Sequence, residues 1–199
     1  MAGLILWSVH PALFYRPGGR LSLTELAAAR LDGLVVEVGE GYMPADTVEG
    51  ASARAAGVAA LIPPRTAACG STAAWIHGAG DAPPTIHHVR RTAATRMRVQ
   101  VSARVLYHER RAAPEEVRVI HGVGVTTPLA TAVDLLFAAA LGDERDERWL
   151  RALLLTRPEI VAPLRDRVQE MPRRPGRRCA VGILASLPDV DAAHRAGTS

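Results

Sequence analysis

The feature that most constrains the fold is a block of strand-like sequence in the middle of the chain, between segments with helical spacing. Short runs rich in valine, isoleucine and tyrosine occupy residues 85–89, 97–102, 104–110 and 117–125. A polar, basic connector over 90–96 follows the first run. Because runs of this length bounded by turn residues are typical of strands, the block predicts a mainly antiparallel sheet of about four strands.

Segments with helical spacing follow the strand block. They cover residues 127–141, 144–155 and 159–171. Pro163 either kinks the last of these helices or lies in its first turn. A final short helix is predicted over 179–187, and the polar tail 188–199 is expected to be flexible. These patterns predict a mixed α+β domain over 47–187.

The N-terminal part predicts a helix over Leu23–Asp32. Ser22 precedes this helix, and Glu25 three residues later completes a capping box, in which each side chain bonds the other residue's backbone N–H. Gly33 follows, and glycine readily adopts the left-handed conformation that ends many helices.

A strand and a tight turn come directly after that helix. Leu34–Val38 is rich in valine, Gly39–Gly41 turns the chain, and Tyr42-Met43 returns it. A short helix followed by a hairpin is the second half of a winged helix-turn-helix, but it also occurs in any α+β hairpin. The pattern leaves both interpretations open, and we take residues 1–46 as a small winged-helix-like module.

Two further helices are predicted between this module and the strand block. Asp46 and Glu49 repeat the capping-box spacing ahead of an alanine-rich helix, which runs to Ile62 and is stopped by two prolines. Ser71 or Thr72 is expected to cap a short second helix.

Charge is distributed unevenly along the chain. All 24 basic residues are arginine, and the formal net charge is +4. The net charge is −2 over residues 1–63, +5 over residues 64–128 and +1 over residues 129–199. A basic middle segment can bind the phosphate backbone of nucleic acid, although arginines on solvated strands give the same count.

Several classes of protein find no support in the sequence. Cys69 and Cys179 lie far apart without metal-ligand spacing, so neither a disulfide framework nor a zinc site is expected. No apolar run reaches the roughly 20 residues that span a bilayer, and the start of the chain, MAGLILWSVHP, lacks the basic residues of a signal peptide. We therefore expect a cytoplasmic protein with no membrane partner.

The stretch HGVGVTTPLATAVDLL, which begins at His121, resembles a phosphate loop at first sight. A Walker loop requires a lysine, which the chain lacks, and a dinucleotide loop requires a third glycine where Thr127 stands. A structural interpretation explains more of the stretch. His121 and Gly122 turn a hairpin, Thr126 or Thr127 caps the next helix, and Pro128 is its first residue.

No group of residues points to catalysis or metal binding. His87 and His88 would face opposite sides of a strand, so they cannot hold one ion together. Asp134 lies in an apolar helix, where we favour an ion pair with an arginine such as Arg148 or Arg151. We predict no enzymatic activity, no cofactor and no metal.

Several motifs taken together resemble the AbiEi-type antitoxins of type IV abortive-infection toxin–antitoxin systems, in their actinobacterial form. The resemblance covers residues 20–140. Its most specific parts are TAAWIHG, residues 72–78, and GVTTP, residues 124–128, followed by Thr131 and Asp134-Leu135-Leu136.

The resemblance implies a fold and a function. Such antitoxins have an N-terminal winged helix that binds and represses the promoter of their own operon, and a mixed α/β C-terminal domain that supports antitoxicity. The cognate toxin is a nucleotidyltransferase, which the antitoxin need not contact. By position, Leu23–Asp32 would be the recognition-type helix and Val38–Tyr42 the wing.

The resemblance and the charge distribution together give candidate DNA-binding residues. In the winged-helix-like module these are Arg16, Arg20, Thr24 and Arg30. The stronger basic cluster comprises Arg90, Arg91, Arg96 and Arg98. The principal hypothesis is an antitoxin-like repressor that binds double-stranded DNA at its own promoter. The alternative is a non-catalytic protein-interaction scaffold whose winged helix does not bind DNA.

Overall fold

The computed structural model describes residues 14–94 and 102–186. The predicted strand 97–102, apart from its last residue, and the predicted tail 188–199 lie outside the described residues. Within these residues the chain forms seven α-helices, a two-stranded sheet and a five-stranded sheet. The predicted α+β class is confirmed.

The N-terminal helix and hairpin form as predicted. They are α1 (Leu23–Leu31), β1 (Val35–Val38) and β2 (Gly41–Pro44), and the two strands pair antiparallel. The capping box is confirmed: the Ser22 hydroxyl accepts from the Glu25 N–H, and the Glu25 carboxylate accepts from the Ser22 N–H at 2.7 Å. Gly33 ends the helix with φ +72°.

Helix α1 packs on this hairpin through one buried side chain. Leu26 is fully buried against Val35 and Tyr42. The backbone of Tyr15 pairs with that of Tyr42 through two hydrogen bonds of 2.8 Å, which adds a short third segment beside β2. This packing of a helix on a hairpin fits the winged-helix-like prediction.

The next helix differs from the prediction at its start. α2 (Ala51–Val58) begins after Gly50 with no side-chain cap and continues into a 3-10 turn at Ala59–Leu61. The predicted capping box of Asp46 and Glu49 is wrong. The Glu49 carboxylate instead accepts from the Arg54 guanidinium at 2.6 Å, so it is engaged by a side chain within the helix.

Five strands form the larger sheet. They are β3 (Thr66–Ala68), β4 (His87–Arg91), β5 (Val105–His108), β6 (Val117–Ile120) and β7 (Val123–Thr126), in the spatial order β5-β4-β3-β7-β6. The pairs β4–β5 and β3–β7 are parallel, and the other two pairs are antiparallel.

The sheet is therefore larger and more mixed than the mainly antiparallel sheet of about four strands that the sequence predicts. The central strand β3 has only three residues, all of them buried. Because both faces of β3 are covered, its sequence shows none of the alternation that reveals a half-exposed strand.

The remaining helices are α3 (Gly70–Ile76), α4 (Pro128–Ala140), α5 (Glu144–Thr156), α6 (Val161–Glu170) and α7 (Arg177–Ser186). Thr127 caps α4 and Pro128 is its first residue, as predicted. Pro163 lies in the first turn of α6. The predicted cap of α3 by Ser71 or Thr72 is wrong, because α3 starts two to three residues earlier, after Cys69, and has no side-chain cap.

Two buried clusters hold these layers together. One joins α4 to α5, α6 and α7 through side chains such as Leu136, Leu153 and Leu164. The other joins the hairpin β1–β2 to α2, α3 and the sheet through Met43, Trp75 and others. Among the residues described, none of the helices is both long enough and apolar enough to cross a membrane.

Candidate functional site

The motifs that carried the family resemblance form a buried polar network. The Nε2–H of His77 donates to the backbone carbonyl of Thr126 at 2.6 Å, and the hydroxyls of Thr126 and Thr131 lie 2.7 Å apart. Burial lowers the pKa of His77, which favours the neutral ring. The hydroxyl of Thr72 accepts from the backbone N–H of His88 at 2.9 Å. These hydrogen bonds connect α3 to β4, β7 and α4 inside the domain, so they fix the relative positions of these four elements.

Asp134 of the same motif forms an ion pair with the sheet. Its Oδ2 lies 2.8 Å from Nη2 of Arg90, and its Oδ1 lies 3.5 Å from Nη1 of Arg110. The predicted ion pair is confirmed, but its predicted partners, Arg148 and Arg151, are wrong. Asp134 faces β4 rather than α5, and Arg151 pairs with Glu147 one turn earlier in its own helix.

The Arg90–Asp134 pair is almost completely enclosed. The Arg90 residue is 5% exposed, and its Nε and Nη1 have no hydrogen-bond partner within the described part of the chain. Burial raises the pKa of Asp134, and the two neighbouring guanidinium groups oppose this rise. A buried guanidinium with two unpartnered N–H nitrogens is costly, because these donors have lost water without replacement.

Arg90 lines a cleft of about 230 Å³ between the sheet and α4. His88, His108, Arg110, Asp146 and Arg174 supply its polar wall, and Phe137 and Leu141 lie on the apolar side. The guanidinium carbon of Arg174 lies 3.7 Å above the centre of the Phe137 ring. The lining of this cleft includes Asp134, one of the residues that carry the family resemblance. We call this cleft the arginine cleft.

The two histidines of the arginine cleft contact each other. Nε2 of His108 lies 3.2 Å from Nδ1 of His88, so one ring donates to the other. Burial lowers the pKa of both histidines, that of His108 to about 4, which favours the neutral form of both rings. His88 lines the arginine cleft and His87 does not. This agrees with the prediction that the two histidines face opposite sides of their strand. Within the described ranges, no three histidine, cysteine or acidic side chains are grouped to hold a metal ion.

The predicted DNA-binding residues of the N-terminal module are exposed, and two of them contact other residues of the protein. Arg16 donates to the carbonyl of Ala56 at 3.2 Å, and Arg30 lies 3.6 Å from Glu37. Arg20 and Thr24 are exposed. Their contact with DNA stays a prediction.

The predicted basic cluster of the middle segment is divided by the structure. Arg90 is buried with Asp134, whereas Arg91 is half-buried and donates to the carbonyls of Ala94 at 3.1 Å and Glu109 at 3.5 Å. Arg96 and Arg98 lie outside the described residues. Whether any member of this cluster contacts DNA stays a prediction.

Two arginines that the sequence did not single out lie beside Arg91. Thr92, the next residue, donates from its N–H and its hydroxyl to the carbonyl of Arg65, and Nε of Arg111 donates to the carbonyl of Thr92 at 3.0 Å. Arg65 and Arg111 are exposed. We call Arg65, Arg91 and Arg111 the basic rim. Thr66 of β3 pairs with Arg91 of β4, which brings the neighbouring Arg65 close to Arg91. The sequence did not predict the basic rim because it did not predict the short strand β3.

Comparison with protein families gives one match. Residues 66–143 match the family model of the AbiEi antitoxin C-terminal domain. The matched segment contains all five strands of the larger sheet with α3 and α4, and it includes Arg91 and Arg111 of the basic rim and most of the arginine cleft. Comparisons with curated proteins and with solved structures give no match.

Proposed function

Because residues 66–143 match the family model of the AbiEi antitoxin C-terminal domain, we propose that the chain is an antitoxin that binds the promoter of its own operon. In this proposal it represses that operon and counters a nucleotidyltransferase toxin, acting in the cytoplasm where the promoter lies. The observation that supports DNA binding most directly is the basic rim, within a segment of net charge +5.

The basic rim is suited to phosphate because the side chains of Arg91 and Arg111 are held in place before any ligand binds. The Arg91 guanidinium donates to two backbone carbonyls, and the Arg111 guanidinium donates to a third. A guanidinium has five N–H donors, so each retains donors for phosphate oxygens. Contacts of this kind supply affinity and orientation without reading sequence.

Helix α1 is the element that we propose reads the bases. Leu26 is its one buried residue, so nearly the whole helix surface is accessible. Thr24 and Arg30 lie on it, and both side-chain types contact base edges in the major groove. The N-terminal part is net negative over residues 1–63, so the attraction to DNA comes from the basic rim.

A gel-shift assay with the DNA upstream of the operon tests this proposal. We expect a complex at low salt that survives competition by a scrambled duplex of equal length. An Arg65→Gln/Arg111→Gln variant should bind more weakly to both duplexes, because it loses phosphate contacts. An Arg145→Gln/Arg148→Gln variant, which removes the same charge from α5, should bind as the unchanged protein does.

A second candidate function is a protein-interaction scaffold. It is favoured by apolar side chains of the N-terminal module that are more than half exposed, namely Leu23, Leu31 and Leu34. A scaffold would capture a protein partner and would form no salt-sensitive complex with the upstream DNA. The absence of any gel-shift complex at low salt would contradict the antitoxin proposal in its DNA-binding part and support this one.

A further inference from the structure

We propose that the arginine cleft is a binding site for the phosphate group of a small molecule, separate from the basic rim and from any DNA contact. Arg90 lies at its base, Arg174 and Arg110 lie at its edge, and the pair His88–His108 forms one side.

The buried guanidinium of Arg90 is the first reason for this assignment. Asp134 engages Nη2, whereas Nε and Nη1 have no partner among the residues described, although the residue is 5% exposed. Buried donors in proteins nearly always have an acceptor. A phosphate oxygen in the cleft would provide one, and charge-assisted bonds to phosphate are the strongest that arginine makes.

Arg174 is the second reason, because it remains available at the cleft edge. Its guanidinium stacks on the Phe137 ring, and it forms no salt bridge within the described residues. Stacking fixes the plane of the guanidinium while leaving the N–H groups at its edge free to donate. Arg110 is less available, because it already donates to Glu116 at 2.6 Å.

The two acidic residues of the cleft do not remove its preference for anions. The negative charge of Asp134 is compensated by its ion pairs with Arg90 and Arg110. Asp146 forms no ion pair with the residues described, and burial, with Asp143 and Asp134 nearby, raises its pKa to about 6. Asp146 is therefore the one cleft residue whose charge opposes a phosphate directly, and its removal should strengthen binding.

The size of the cleft defines what part of a ligand it encloses. Its volume of about 230 Å³ is below the roughly 300 Å³ at which pockets begin to enclose drug-sized ligands. It therefore accommodates a phosphate head, either free or on an ester whose remainder projects past Arg174 and Leu141.

The test is a titration of the full-length ¹⁵N-labelled protein with sodium phosphate, adenosine monophosphate and sodium acetate at constant ionic strength. We expect saturable shifts of the Gly70 and His88 amide signals with both phosphate compounds, with a dissociation constant of about 1 mM or tighter. Tighter binding of the monophosphate would identify an esterified ligand, and equal binding would identify phosphate itself. Both results support the proposal. Absence of saturation, or acetate binding as tightly, would overturn it.

Two variants assign the binding to the cleft. Arg174→Gln should weaken phosphate binding about tenfold, as expected for loss of a hydrogen bond to a charged group, whereas Arg173→Gln, an exposed neighbour with the same charge change, should not. Asp146→Asn should tighten binding. Equal effects of Arg174→Gln and Arg173→Gln would show general charge attraction and contradict the assignment. Gel-shift behaviour of Arg174→Gln should remain unchanged, so the two proposals fail independently.

Discussion

Asp134 illustrates how a residue's role depends on partners that are distant in sequence. Its apolar helix and its charge are enough to predict an ion pair, but the arginine cannot be named from helical spacing. The partner Arg90 lies on β4, 44 positions earlier, and reaches Asp134 because the sheet packs on α4. Arg90 was counted in the predicted basic cluster, but the structure buries it beside Asp134. A count of arginines in the sequence therefore does not show which of them are accessible.

Replacing Asp134 by Ala should destabilise the protein strongly. The change leaves the Arg90 guanidinium buried without its carboxylate, and breaking a buried pair in this way costs about 3–5 kcal/mol. Urea denaturation followed by circular dichroism measures the loss. Asp166→Ala, an exposed position on α6, is the control and should change the free energy of unfolding by less than about 0.5 kcal/mol. A similarly small change at Asp134 would show that the pair contributes little.

The raised pKa of Asp146 predicts that the stability of the protein depends on pH. The pKa of this carboxyl in the folded protein is about 6, above the usual 3.8, so the folded state holds this proton more tightly than the unfolded chain. The stability that this contributes is present below pH 3.8 and is lost as the pH rises through about 6. Asp146→Asn should therefore gain stability over the unchanged protein between these values, and the gain should level off above pH 7. Thermal melts across this range measure it, and a pH-independent difference would contradict the shifted pKa.

At the scale of elements, the contact between the hairpin and α2 depends on two glycines. The N–H of Glu40 donates to the carbonyl of Gly57 at 2.7 Å, which brings the β1–β2 turn against the helix backbone. A Cβ on Gly39 would lie 2.7 Å from the carbonyl oxygen of Gly57, and Gly39 has φ +60°. A Cβ on Gly57 would overlap the carbonyl oxygen of Val38.

Gly57→Ala should consequently destabilise the protein, although alanine favours helices. The added methyl group should push the hairpin away from α2. This should lower the free energy of unfolding by about 1–3 kcal/mol, the usual cost of overpacking. Gly182→Ala on α7 is the matched control, since a Cβ there meets nothing within 4 Å, and it should stabilise by up to about 1 kcal/mol. Chemical denaturation of both variants compares them. Equal stability of the two would contradict the close backbone contact.

The elements also show which local signals were sufficient. Ser22 with Glu25, and Thr127 with Pro128, marked two helix starts correctly, because capping is decided within one turn. Strand β3 was missed because three buried residues carry no periodicity, and its parallel pairing with β7 was missed with it. The arginine cleft was missed because it joins side chains of β4 and β5 to side chains of α4 that are distant in sequence.

At the scale of the whole molecule, the motifs that carry the family resemblance are mostly internal. Residues 72–78 and 124–128 hold helices against the sheet through His77, Thr126 and Thr131. They lie within residues 66–143, which match the family model of the AbiEi antitoxin C-terminal domain. The hairpin β1–β2 shares a buried cluster with α2 and α3, so the boundary predicted at residues 46–47 stays a prediction.

We propose that the protein binds its own promoter through the basic rim. The salt dependence of that binding is the most direct test of this proposal. The logarithm of the association constant for the upstream fragment, measured from about 50 to 200 mM salt, should fall linearly with the logarithm of salt concentration. The Arg65→Gln/Arg111→Gln variant should bind more weakly, with a slope smaller by about 2, because each lost phosphate contact removes about 0.9. An unchanged slope in that variant, or no measurable binding at the lowest salt, would contradict the account.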